Sequence, residues 1–233
     1  MIKPVGFVRA VSCLWSCTWW RPIIAIVTIA LMFSAQLSAE CNCGGPTCCQ
    51  CSSPIIIDLS GHGYHLTSLA NGVTFDFFGT GQPVKISWTV ADSGNAFLVL
   101  PGSDGLVHNG KQLFGNLTPQ PQSTDPNGFR ALAVYDLPEN GGNGDGIIDG
   151  NDKIFSSLRL WIDANHDGIC QLDELYTLPS MGVYSISLHY WLSQKRDQYG
   201  NLFRYRSTVN EGIPDGVSEV GHVVYDVGLV WGN

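Results

Sequence analysis

Asp163, Asn165, Asp167, Gln171 and Glu174 occupy the first, third, fifth, ninth and twelfth places of one stretch, Asp163-Ala164-Asn165-His166-Asp167-Gly168-Ile169-Cys170-Gln171-Leu172-Asp173-Glu174. The string fits the pattern D-x-[DN]-x-[DN]-G-x5-E at every specified position. Side-chain oxygens at alternate places converge as the chain curls, and Gly168 lets the backbone turn without a Cβ clash. Ile169 offers its carbonyl, Gln171 binds directly or through water, and Glu174 closes the shell with two oxygens. An all-oxygen set of this size suits a hard cation such as calcium and not zinc or copper. Short Asp/Asn/Gly strings also occur in ordinary turns, but a turn does not require the distant glutamate.

A second loop lies just upstream. Asn143, Asp145, Ile147, Asp149 and Asp152 place ligand types at loop positions three, five, seven, nine and twelve. Position one is Gly141, which brings no carboxylate. Asp136 and Glu139 sit a few residues earlier, across an insertion at Leu137–Gly142, and either can supply the missing oxygen. The closing residue is Asp152, one methylene shorter than glutamate, so two-oxygen closure is harder and affinity is expected to fall. Asp58–Gly63 and Asp76–Gly81 repeat the five-residue Asp-to-Gly interval with Ser60 and His62, or Phe78 and Thr80, at the inner places. Phe78 cannot ligate calcium and His62 is a poor calcium ligand, which leaves Asp58 and Ser60 as the remaining oxygen donors of the first segment. Both segments, and the turn around Asp104-Gly105, read as glycine turns between strands.

The elements that must hold these loops are short. Strands are expected at 55–57, 73–77, 84–88, 97–100, 183–190, 202–209 and 222–230, separated by Gly or Pro turns. Residues 117–127, rich in Pro, Gln and Ser, form an exposed loop, and Asn127 caps a helix running to about Tyr135. Short exit helices are expected at 152–158 and 172–178, the latter stopped by Pro179. The fold class that follows is α+β: a mainly β frame with short helices flanking paired EF-hand-like calcium loops. Residues 54–190 form that module and residues 191–233 a C-terminal β-hairpin.

Lys3, Arg9 and Arg21 precede an uncharged apolar run, Ile23–Ala35. The run is short against the roughly 20 residues that span a bilayer, and it suits a signal-peptide core ending at Ala39. An uncleaved membrane anchor is the alternative. Removing residues 1–39 takes away three positive charges and no negative one, so the formal balance moves from −8 to −11. Such a chain repels nucleic acid and anionic membranes. Five of the eight cysteines crowd into Cys41–Cys51, and in an exported chain disulfides are the default reading, making residues 40–53 a cross-linked tether. Cys170, in an inward slot of the second loop, reads as a buried free thiol.

Residues Ser53 to Tyr190 resemble the calcium-binding module of iron-regulated RTX-type secreted bacterial proteins, including their self-processing module. The matching strings are Pro54-Ile55-Ile56-Ile57-Asp58-Leu59-Ser60-Gly61-His62-Gly63, Leu113-Phe114-Gly115, Gly128-Phe129-x-Ala131-Leu132-Ala133, and Ile154–Gly168 with its Trp161-x-Asp163-x-Asn165-x-Asp167 core. The resemblance implies calcium binding and secretion. In self-processing members an Asp-Pro bond opens the module, calcium promotes its cleavage, and the new terminal aspartate is joined to a lysine. Here the corresponding dipeptide is Ser53-Pro54, which lacks the carboxylate that forms the cyclic anhydride. The nonapeptide repeats of RTX toxins are absent from the sequence.

These observations point to an exported, non-enzymatic calcium-binding protein with Ca2+ as its ligand, no nucleic-acid partner and an unidentified cell-envelope or protein partner. One alternative is calcium-dependent autoprocessing, for which Asp125-Pro126 is the sole Asp-Pro bond. Another is an adhesion or scaffold module of the envelope. A hydrolase built on Ser60, His62 or His65 lacks a nucleophile-elbow pattern.

Overall fold

Ile55, Ile56 and Ile57 are all fully buried, which accounts for three consecutive β-branched residues in one strand: both faces of that strand are covered. The computed structural model describes residues 52–211, 220 and 222–232. The expected leader (1–39), nearly all of the tether with its cysteine cluster, and the connection at 212–219 lie outside the described residues. Among the described residues no helix is long and apolar enough to cross a membrane.

Twelve short strands are described: β1 (Ile55–Asp58), β2 (Val73–Phe75), β3 (Val84–Ile86), β4 (Asn95–Val99), β5 (Ile147–Asp149), β6 (Arg159–Trp161), β7 (Leu175–Tyr176), β8 (Ser185–Ser187), β9 (Trp191–Arg196), β10 (Leu202–Thr208), β11 (Val223–Gly228) and β12 (Trp231–Gly232). A seven-stranded sheet runs β7-β6-β4-β1-β11-β10-β9, with smaller sheets β12-β3-β2 and β5-β8. Every ladder is antiparallel. The period of two assigns alternate residues of the large sheet to opposite cores. Ile55, Ile57, Ala96, Leu98 and Leu160 join one core, together with Phe129 and Leu132 of the helix α1 (Gly128–Ala133). Ile56, Phe97, Val99 and Trp161 join the other, with Phe75, Ile86 and Trp88 from the three-stranded sheet and its flank.

The expected α+β class is corrected by this architecture. Among the described residues α1, six residues long, is the single α-helix, and the flanking helices expected at 152–158 and 172–178 are 3-10 turns at Lys153–Ser156 and Leu172–Glu174. After the second turn the chain becomes β7, whose Leu175 and Tyr176 pair with Trp161 and Leu160. The apolar side chains there fill a sheet edge instead of a helix face, so propensity yields to pairing. The two loops also do not pair with each other. Ile148, at position eight of the first, is buried in the α1-side core and lies on β5, which pairs with β8. Cys170, at position eight of the second, is buried in the aromatic core on the other face. The chain is mainly β, and each of the two acidic loops is anchored to its own core.

Asn127 caps α1 as its sequence position suggests, accepting from the Arg130 amide at 3.0 Å. A second carboxylate reaches the same helix start from the sheet. Asp226 of β11, with no solvent exposure, accepts from the Gly128 amide at 2.7 Å, and its Oδ1 has no hydrogen-bond partner. Arg204 lies 3.8 Å from Asp226, and Asp125 and Ser53 also face it. Burial pushes the Asp226 carboxyl up to about 6; the Arg204 charge and the Gly128 and Ser53 hydrogen bonds only partly oppose this. Because the folded value exceeds the ordinary one, the stability from this group is fully present below about pH 4 and is lost as pH rises through about 6. Asp226→Asn is expected to abolish that dependence. The wild-type-minus-variant stability should fall by on the order of 3 kcal/mol between about pH 4 and 7. Urea unfolding across that range measures it, and parallel curves for the two proteins would refute the assignment.

Candidate functional site: two oxygen-lined loops

The second loop follows β6 directly, so Trp161 and Asp163 are two residues apart and share one side of the chain as it leaves the sheet. Asp163 and Glu174, the first and last residues of the loop, are buried, while Asn165 and Asp167 are exposed. Asp163 Oδ2 accepts from the Gly168 amide at 2.9 Å and Oδ1 from the Asp167 amide at 3.1 Å. Asn165 Oδ1 accepts from the Asp167 amide at 3.0 Å, and Asp167 Oδ1 from the Ile169 amide at 2.7 Å. Glu174 reaches back across the loop to accept from the Ala164 amide at 3.0 Å and the Gln171 amide at 3.3 Å. Gly168 has φ +72°, and a Cβ there would stand 2.9 Å from Val73 Cβ, so glycine is required twice over.

Two indoles complete the terminal carboxylates. Trp88 Nε1 donates to Asp163 Oδ2 at 2.8 Å, and Trp161 Nε1 donates to Glu174 Oε2 at 3.1 Å. The two rings meet edge to face, 5.5 Å between centroids, inside the aromatic core. His166, at φ +59°, adds a clamp: its ring nitrogens lie 2.9 Å and 2.8 Å from the Thr89 and Asn71 carbonyl oxygens. Sequence reasoning does not find these three. Trp161 carries a local signal, an aromatic residue at the strand end two places before the loop. Trp88 lies far from the loop in sequence and carries none.

The first loop repeats most of the pattern. Asp136, buried, accepts from the Gly146 amide at 3.0 Å, as Asp163 accepts from Gly168, but its other oxygen takes the Gly144 amide at 2.9 Å, one place earlier than the Asp167 amide that Asp163 takes. Asp136 therefore fills the place that Gly141 leaves without a carboxylate, and the 3-10 turn Pro138–Asn140 takes up the inserted residues. Glu139 is exposed in that turn. Asn143 Oδ1 accepts from Asp145 (3.2 Å), Asp145 Oδ1 from Ile147 (2.9 Å), and Asp152 Oδ2 from Asp149 (2.8 Å). Asp149 turns to the Asn151 amide at 2.8 Å. No indole serves this loop: Asp152 Oδ1 is buried without a partner. Burial pushes the Asp152 carboxyl upward, and the nearby Asp136 and Asp149 charges push the same way.

Asp58 and Asp76 make the same carboxylate-to-glycine bond, to Gly63 at 2.6 Å and Gly81 at 2.9 Å, and act as turn formers. Among the described residues no three His, Cys, Asp or Glu side chains form a ready-made metal cluster. The carboxylates face backbone amides instead, and each carboxylate oxygen so engaged retains a second lone pair. Gln171 Oε1 faces the Glu174 amide across the 3-10 turn but, buried, completes no hydrogen bond. One buried, incompletely satisfied oxygen in each all-oxygen loop fits a hard cation. Cys170 is a buried free thiol, its pKa raised by burial, and takes no part in the oxygen set.

A second polar cluster surrounds the dipeptide Ser53-Pro54. Ser53 is buried; its amide donates to Asn116 Oδ1 at 2.8 Å, and its hydroxyl accepts from Arg204 Nη1 at 2.7 Å. The Tyr205 hydroxyl donates to Asp125, and Arg204 lies 3.9 Å from the same carboxylate. Asp125-Pro126 thus sits beside Ser53 in space, with its carboxylate held, and not in a free loop.

Removing an indole donor leaves a buried carboxylate oxygen short of one charge-assisted bond. Trp88→Phe and Trp161→Phe should each cost about 1–3 kcal/mol in chelator, beyond any packing loss. Chemical unfolding of both variants beside Phe97→Leu, which alters the same core without touching a carboxylate, tests this; equal losses per atom removed would refute it.

A family model described as SPM domain matches residues 55–225. Over 140 residues the chain is 37% identical to the iron-regulated protein FrpA of Neisseria meningitidis serogroup C. That match covers 59% of this chain and 12% of the relative's length.

Proposed function

The chain belongs to the SPM-domain family, and on that footing we propose that it is an exported, non-enzymatic calcium-binding protein, stabilised or switched by extracellular Ca2+. The observation that carries the reading is the equivalence of the two loops. Independent stretches of sequence, one with an insertion, bury the first and last carboxylates, expose the inner ligands and share four amide bonds at equivalent positions. In the second loop Asp163, Asn165, Asp167, the Ile169 carbonyl, Gln171 and Glu174 would hold the ion. In the first, Asp136, Asn143, Asp145, the Ile147 carbonyl, Asp149 and Asp152 would do so, with weaker closure from the shorter Asp152. The bound ion supplies positive charge to groups that otherwise repel one another, and so adds to folding stability.

The non-enzymatic part rests on the residues around Ser53. Serine supplies no carboxylate at the position where self-processing relatives need one, and the Asp125 carboxylate is engaged by Tyr205 and Arg204. Export rests on the charged, then apolar, N-terminal sequence and on the cysteine cluster that follows it.

Extracellular modules of this kind bind calcium with dissociation constants on the order of 10⁻⁴–10⁻³ M. At free calcium about a hundredfold above that constant, each site should add about 2.7 kcal/mol of stability. Thermal melts in chelator and in about 10–100 mM calcium should differ accordingly, and Asp163→Ala with Glu174→Gln should remove most of the difference. Superimposable melts would end the proposal. Calorimetric titration is expected to resolve a tighter and a weaker site, with Asp136→Asn removing the weaker one alone. During the same incubation the mass of the chain should not change; a fragment ending at Asp125 would overturn the non-enzymatic reading.

A further inference from the structure

We propose that the outer edge of β9 is a docking surface that takes an extended, acidic peptide segment of a partner protein as an added antiparallel strand. β9 ends the seven-stranded sheet, and among the described residues no strand lies beyond it. Five of its six residues are exposed. An edge strand presents backbone donors and acceptors to any extended chain, the geometry of strand addition. The opposite edge, β7, is two residues long and offers little for a partner to pair with.

Charge selects the partner. The chain carries a net −8. Arg204, largely buried, is taken up by Ser53, Asp125 and Asp226, and Arg196 donates to the Gly200 carbonyl at 3.2 Å. Lys195, Arg196 and Arg206 still stand against one acid within residues 191–208, Asp197. That acid is engaged locally, bonded by the Tyr199 and Asn201 amides and the Asn201 side chain. Lys195 Nζ stands 4.7 Å from the Phe203 ring centroid and 5.5 Å from that of Tyr225, so its charge lies over an aromatic face. Arg206 pairs across the ladder with Trp191, which is 55% exposed, and Leu192, on the other face, is 67% exposed. The edge therefore offers cations on an aromatic floor, with an apolar anchor on each face.

A second copy of the chain is a poor occupant. Two β9 strands meeting antiparallel over their full length would set Lys195 and Arg196 of each opposite Leu192 and Trp191 of the other, so that four mutually repelling cations line one seam with no carboxylate between them. An acidic strand turns that repulsion into attraction. Alternating carboxylates can meet Lys195 and Arg206 on one face while the backbone completes the ladder.

The test uses the purified chain and a fluorescein-labelled octapeptide alternating valine and glutamate, followed by anisotropy. Saturable binding is expected, falling by about tenfold or more in Lys195→Glu/Arg206→Glu and in a peptide of equal charge interrupted by proline. Amide exchange across β9 should slow on binding. Lys195→Gln/Arg206→Gln, a milder change checked by its melting curve, should weaken binding in the same direction. Absence of saturable binding, equal binding of the proline peptide, or binding of a heparin fragment without the peptide would each overturn the proposal.

Discussion

The structure depends on two indole N–H groups ending on two buried carboxylates. Asp163 and Glu174 are almost fully removed from solvent, and ionised oxygens in that setting are costly unless each finds donors. Trp88 and Trp161 supply donors from inside the aromatic core, and backbone amides supply the rest. Trp161 is fixed by β6, which pairs with β4, which in turn pairs with β1 at the centre of the large sheet. The positions of the loop's end ligands are thus set by sheet register and core packing, several bonds away from any ion. A loop held this way has its shape fixed by the sheet and the core, so under the calcium reading proposed above little ordering entropy would oppose ion capture.

The first loop solves the same problem with less help. Its end carboxylates, Asp136 and Asp152, are also buried, but amides alone answer them, and Asp152 Oδ1 goes unanswered. Burial and two neighbouring carboxylates push the Asp152 proton affinity upward, so under the proposed reading a proton would compete with the ion at this carboxylate. The difference between the loops lies in their surroundings more than in their ligand lists. Ile148 ties one loop to the α1-side core and Cys170 ties the other to the aromatic core, and the large sheet stands between those cores.

Several features were legible in the sequence because their causes are local. The spacing from Asp163 to Glu174 marks the second loop, Asn127 marks the start of α1, and Ile55–Ile57 reads as a strand covered on both faces. The glycine turns at Asp58 and Asp76 follow from one five-residue interval. What was not legible is non-local. The helix expected after the second loop has a sound composition, yet Leu175 and Tyr176 find partners in β6, and the pairing decides. β9 is polar and exposed along most of its length, so it shows no clean alternation and its sequence does not announce a strand. Trp88 and Arg204 act on residues about 75 and 150 positions away, beyond the reach of any spacing rule.

The family match from 55 to 225 runs from β1 into β11, two strands that are direct neighbours in the sheet. Its ends are therefore joined in space: Ile55 lies opposite Asp226, and Pro54 accepts from the Val227 amide at 2.8 Å. Between them the chain carries both loops, α1 and most of the aromatic core, so the first and last strands of the matched stretch meet in the interior of the sheet. The Ser53–Arg204–Asp226 cluster sits at that junction, linking the segment before β1 to β10 and β11. The second loop hangs from β6 of that same sheet, whereas the first hangs from β5, which pairs with β8 in a separate two-stranded sheet, so the register of the large sheet sets the position of the second loop and not of the first.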